Sequence, residues 1–113
     1  MYFNMCGIIG FISNHQNCFN FIIDGLKELQ NRGYDSAGIT TIDNGNFSTS
    51  KYASNNKEDS LIKLESRSEI HKSKIGIGHT RWATHGAKTD KNAHPHSCPD
   101  NLFTLVHNGI IEN

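Results

Sequence analysis

The chain has 113 residues, with 11 Lys and Arg balanced against 11 Asp and Glu. A formal charge of zero excludes the basic footprint of a nucleic-acid binder or a membrane-surface protein. The longest apolar run, Phe21-Ile22-Ile23, is far too short to span a bilayer, and no signal-peptide pattern is visible. Cys6, Cys18 and Cys98 are an odd set without a CxxC pair, which points to a reducing, cytoplasmic setting and away from a disulfide framework. Apolar content of 35% allows one lean domain or part of one.

In chain order, Gly7 to Ile12 reads as a buried strand ended by Ser13-Asn14. Asn17 is an N-cap for a helix to Gln30, with Cys18, Ile22, Leu26 and Leu29 on its apolar face and Gly33 just past its end. Ala37 to Ile42 and Phe47 to Tyr52 form a hairpin around Asp43-Asn44-Gly45-Asn46, with Ser and Thr on the wet face of the returning strand. A weaker helix is expected from Glu58 to Ile70, with Leu61, Leu64 and Ile62 inward. Ile75 to His79 is a fourth strand, Arg81 to Cys98 an irregular loop, and Leu102 to Val106 a fifth strand entering His107-Asn108-Gly109. The absence of a closing element after that turn suggests a truncated domain.

Four stretches can carry chemistry, and each also has a plainer reading. Asn31 to Gly38, between a helix and a strand, either sets Arg32 and Tyr34 near a site at the strand ends or is an ordinary connection in which Asp35 or Ser36 satisfies local backbone groups. In Met5-Cys6-Gly7-Ile8-Ile9-Gly10, translation from Met5 followed by removal of that methionine would leave Cys6 with both a thiol and a free α-amine, whereas a chain begun at Met1 would keep Cys6 internal. Their ordinary pKa values, about 8.5 and about 7.7–8, let the amine take the thiol proton near neutral pH. Otherwise Cys6 is a small residue opening a strand. Gly78 to Gly86 holds Arg81, whose planar fork suits a carboxylate, beside Trp82 as a flat apolar cover. Otherwise the two are a surface arginine and a loop anchor. Asn108 and Gly109 offer the two N–H donors of an oxyanion hole, or simply a tight turn. His94-Pro95-His96-Ser97-Cys98 matches no familiar zinc spacing, so its histidines are better read as neutral loop supports than as metal ligands.

Taken together, Cys6-Gly7-Ile8-Ile9-Gly10, Arg32 to Gly38, Gly78 to Gly86, Asn92 to His96 and His107 to Asn113 closely resemble the glutaminase domain of the glutamine–fructose-6-phosphate aminotransferase family. Class II glutamine amidotransferases in general share the Cys-Gly start and the Arg-Gly…Ser-Ala-Gly pattern. The Tyr34-Asp35 pair and the run Thr80 to Gly86 are similar to the sugar-phosphate aminotransferase branch.

The resemblance implies an α+β fold of the N-terminal-nucleophile type, an αββα sandwich of which this sequence would hold only the first part. Residues 1–5 would be a leader and 6–113 the amidotransferase domain. It implies that Cys6 attacks the glutamine side-chain amide, that Asn108 and Gly109 form the oxyanion hole, and that Arg81 binds the α-carboxylate with Thr84 and His85 near it. Trp82 would sit in a closing loop, Arg32 would help organise the site, and His94 would support a loop. No metal or other cofactor is expected. Glutamine is the expected partner, and fructose 6-phosphate would be met only through a separate isomerase domain. The family's ammonium-binding aspartate lies in a continuation beyond Asn113, so this chain is not expected to be a stable and active glutaminase by itself. Two other readings stand beside this one: an inactive piece that docks on a complementary chain or another copy, and a small metal-binding module.

Overall fold

A helix needs an apolar stripe and a surface to bury it on. The stripe of Cys18, Phe19, Ile22, Ile23 and Leu26 finds that surface on an antiparallel sheet. The computed structural model describes residues 6–29, 35–82 and 87–109. Its elements are β1 (Gly7–Ile12), α1 (Phe19–Leu29), β2 (Ser36–Asp43), β3 (Asn46–Ala53), α2 (Ser60–Glu65), β4 (Ile75–Arg81), β5 (His96–Ser97) and β6 (Thr104–Leu105). The first four strands build one sheet in the order β1-β4-β2-β3, antiparallel throughout, and β5 pairs with β6 as a separate small hairpin. This is an α+β fold with antiparallel sheets.

Local chemistry accounts for the element ends. The Asn17 Oδ1 accepts the Phe19 N–H at 3.0 Å and caps α1 as the sequence predicts. Asn44 and Gly45, with φ of 50° and 78°, make the tight turn between β2 and β3. The second helix is shorter than its sequence pattern. Asp59 caps it through the Leu61 N–H at 2.8 Å, and the Ser66 hydroxyl donates to the Lys63 carbonyl at 2.7 Å, closing the helix after six residues. Residues 66–70 continue only as turns, and Ile62 faces solvent.

Two other expectations need correction. The returning strand β3 keeps Thr49 exposed and Ser48 half-buried, but its Ser50 turns inward. Ser50 is buried against His71 at 2.8 Å, whose other ring nitrogen meets Thr41 at 2.8 Å, while Thr49 pairs with Thr40 at 2.7 Å on the opposite face. Burial lowers the His71 pKa to about 4, so His71 is a neutral, satisfied core residue. The last predicted strand shrinks to Thr104–Leu105, because only His96 and Ser97 are there to pair with it.

The strand β1 is half-buried rather than buried. Ile9 and Phe11 pack towards α1, whereas Ile8 is 45% and Ile12 77% exposed on the far face. Period-2 alternation explains this: α1 and α2 cover one face of the sheet only. On the far face the 94–96 segment crosses Gly38. A Cβ at Gly38 would overlap the His94 carbonyl oxygen and lie 2.8 Å from the Lys51 Cβ. Gly38→Ala is therefore expected to lift this segment and cost about 1–3 kcal/mol, since the obstacle is backbone. An unshifted thermal midpoint would show that the segment has another seat.

Candidate functional site

The site grows from the pairing of β1 with β4. Gly7 lies opposite Thr80, so Cys6 emerges beside the end of β4 at Trp82. The Gly7 N–H donates to the buried Thr80 hydroxyl at 3.2 Å, which fixes the chain entering β1. The Trp82 N–H then donates to the Cys6 Sγ at 3.3 Å, and the Sγ lies 3.6 Å from the Trp82 carbonyl oxygen. Cys6 is half-buried and free of any disulfide.

From the other side comes the turn after β6. The Asn108 Nδ2 donates to the Cys6 carbonyl at 2.9 Å. Its Oδ1 lies 2.9 Å from the Nε2 of His79 on β4. Gly109 has φ of 126°, a conformation that a side chain would strain. A column of imidazoles backs this turn. The His94 ring stacks on His79 with centroids 4.3 Å apart and meets His96 at 4.3 Å, and the His94 Nδ1 accepts the His107 N–H at 3.4 Å. Lys51 ties the column to β3 by donating to the Pro95 carbonyl at 3.1 Å, with the His96 Nδ1 3.4 Å away.

Burial sets the charge of this column. It lowers the His79 pKa to about 4, although hydrogen bonding to Asn108 and the His107 backbone offsets part of the effect. It lowers His94 to about 3, helped by neighbouring His79 and His96, and it also lowers His96 and Lys51. At neutral pH the three rings are therefore uncharged and act as hydrogen-bonding and stacking units, as the sequence suggested for loop-holding histidines.

No protein-family profile matches the chain. Individual relatives do. Over 111 residues, 96% of this chain, it is 47% identical to the glutamine–fructose-6-phosphate aminotransferase [isomerizing] of Clostridium acetobutylicum. It is 46% identical over 111 residues to a probable enzyme of the same name from Acanthamoeba polyphaga mimivirus, and 44% identical over 109 residues to that of Staphylococcus aureus strain Mu50. The chain matches an N-terminal fragment of glutamine–fructose-6-phosphate aminotransferases. It spans 17% of the length of the first of these relatives and 18% of each of the other two.

Of the residues that the family resemblance singles out, the structure brings Cys6, Trp82, Asn108 and Gly109 to one place. Arg81 closes β4 next to them, with its Nη1 donating to the Ala87 carbonyl at 3.1 Å, and its own carbonyl accepts the Asp35 N–H at 3.0 Å. Arg32, Thr84 and His85 lie outside the described residues, as do Met1 to Met5. Sequence reading missed Lys51 and the bond between His79 and Asn108. Neither stands in a motif with a local chemical signature, and both become visible only when β3 and β4 share a sheet.

Proposed function

We propose that this chain is glutaminase sequence of a glutamine–fructose-6-phosphate aminotransferase, folded as part of an N-terminal-nucleophile domain with Cys6 as nucleophile. The observation that carries the reading is the meeting of Cys6 with the Trp82 N–H on one side and the Asn108 amide on the other. In the proposed reaction, translation from Met5 and removal of that methionine free the Cys6 α-amine, which takes the thiol proton. The thiolate adds to the side-chain carbonyl of glutamine. The Asn108 Nδ2 has two N–H groups; one is on the Cys6 carbonyl, and the other, with the Gly109 N–H, faces the developing oxyanion. Collapse returns the proton to the leaving nitrogen, which departs as ammonia, and leaves a thioester. Water, deprotonated by the same amine, then releases glutamate and restores the thiol. Arg81 holds the substrate carboxylate, Thr84 and His85 lie near it, Trp82 closes over it, and Arg32 orders the site. Fructose 6-phosphate, which the relatives' name includes, would be met only through a separate isomerase domain outside the matched stretch.

The test is a hybrid in which residues 6–113 replace the matching stretch of the Clostridium acetobutylicum relative. It is treated with a diazoketone analogue of glutamine and then peptide-mapped. The thiols are not equivalent. Burial raises the Cys18 pKa and shields that sulfur. At Cys98 desolvation works in the same direction, but the backbone N–H groups of Phe103 and Leu102, at 3.4 and 3.1 Å from the sulfur, win and lower the pKa. Cys98 is therefore the thiol expected to react with general alkylating agents, and glutamine protection is the discriminating readout. Glutamine should slow the adduct at Cys6 and leave any at Cys98 unchanged. Protection absent at Cys6 sinks the assignment. In the same hybrid, Arg81→Lys is expected to raise KM for glutamine roughly tenfold or more with kcat less affected, because lysine lacks the planar fork. An unchanged KM would make Arg81 structural.

A second reading, a non-catalytic piece that works only when covered by another chain, draws support from the open far face of the sheet, where Ile8 and Ile12 are exposed.

A further inference from the structure

Resting on the glutaminase reading, we infer that His79 is a positioning residue for Asn108: its Nε2–H grips the Asn108 Oδ1 and so turns the amide N–H groups towards Cys6. The orientation follows from donors and acceptors alone. A backbone carbonyl oxygen only accepts, so the Asn108 atom 2.9 Å from the Cys6 carbonyl is the Nδ2. The opposite end of the amide is then the Oδ1, which also only accepts. The His79 nitrogen 2.9 Å from it therefore carries a proton. A flipped amide would set two oxygens against each other at Cys6 and leave the Nδ2 facing a protonated ring nitrogen. Both contacts fail together, so the flip is disfavoured at both ends.

The surroundings hold His79 in that single state. The residue is 1% exposed, and its Nδ1 makes no hydrogen bond among the described residues, while its Nε2 lies 2.9 Å from the Asn108 Oδ1. The stacked His94 ring fixes the plane of the imidazole, and β4 fixes its backbone between Ile8 of β1 and Gly38 of β2. Burial keeps the ring neutral, which leaves one proton, and the Asn108 Oδ1 at 2.9 Å is the side-chain acceptor that draws it to Nε2. His79 is too enclosed to touch substrate, so its effect runs through Asn108.

The test uses the hybrid with His79→Ala, His79→Gln, Asn108→Ala and the double variant His79→Ala/Asn108→Ala, measuring glutamate release per site titrated by the diazoketone. Counting only the glutamine-protected adduct at Cys6 gives the competent sites, so partial misfolding does not enter the rate. The expected result is a kcat for His79→Ala reduced roughly a hundredfold with KM nearly unchanged, as for a displaced transition-state donor. His79→Gln, whose amide N–H replaces the Nε2–H, should recover most of the loss. In the Asn108→Ala background, His79→Ala should cost nothing more, because the group it positions is gone. Additive losses, an unchanged kcat for His79→Ala, or no recovery by glutamine would each overturn the inference. If the hybrid with unaltered 6–113 releases no glutamate, the glutaminase reading fails first and the inference falls with it; a working hybrid with additive losses sinks the inference alone.

Discussion

Glutamine hydrolysis by the hybrid is expected to fall by about 10⁴-fold or more with Cys6→Ala, and by a similar factor when Met1 to Met5 are left attached to an unaltered Cys6. The two losses have different causes. Alanine removes the nucleophile, and the remaining oxyanion donors and binding contacts give only residual catalysis. The retained leader keeps the thiol but turns the α-amine into an amide, which takes no proton at neutral pH. No other general base stands beside the sulfur among the described residues. Its hydrogen-bonding neighbours there are the Trp82 N–H and carbonyl, and the imidazoles of His79 and His94 are held near pKa 4 and 3 with their own partners. Glutamate release by the leader-bearing form at the rate of the processed form would show that the amine is not the base. N-terminal sequencing of both forms makes the comparison secure, and an intact mass shows whether Met5 has been removed.

How much of this was legible beforehand differs between backbone and site. The first four elements are legible within a few residues of their bounds: α1 shows its apolar stripe at helical spacing, β1 is a short apolar run, and the Asn-Gly turn separates β2 from β3. The Asn17 cap and the Asn44-Gly45 turn were equally readable, since both depend on neighbours in the chain. The failures share one physical origin. Glu58 to Ile70 has enough apolar spacing for a helix, but Ser66 bonding back to Lys63 ends it, a competition that periodicity does not register. Ser50 looked solvated because its partner, His71, is 21 residues away. Likewise the motif residues Cys6, Trp82, Asn108 and Gly109 could be picked out from sequence, whereas the His79 bond that aims Asn108 spans 29 residues and needed the fold.

Purified alone, the 113-residue chain is expected to self-associate at micromolar concentration, to bind an apolar dye and to turn over no glutamine. The described structure has a real core, but it lies on one side of the sheet, between the strands and α1 and α2. The other side shows Ile12 at 77% exposure and Ile75 at 42%, paired across β1 and β4, with Ile8 further along the same face. The β5–β6 hairpin adds exposed Leu102, Phe103 and Leu105. Single exposed apolar residues are ordinary, but a row on neighbouring strands makes a patch that water covers badly and another sheet face covers well. β1 is moreover an edge strand, so backbone pairing can add to face-to-face contact. Replacing Ile12 and Ile75 by threonine keeps β-branched side chains on the strands while removing apolar surface. This double variant should therefore elute closer to monomer and bind less dye without a lower melting temperature. The decisive measurement is light scattering of both proteins across a concentration series with matched thermal melts. A parent chain that stays monomeric and dye-free would show that the far face is covered, and a variant that melts much earlier would show that Ile12 and Ile75 already belong to a packed core.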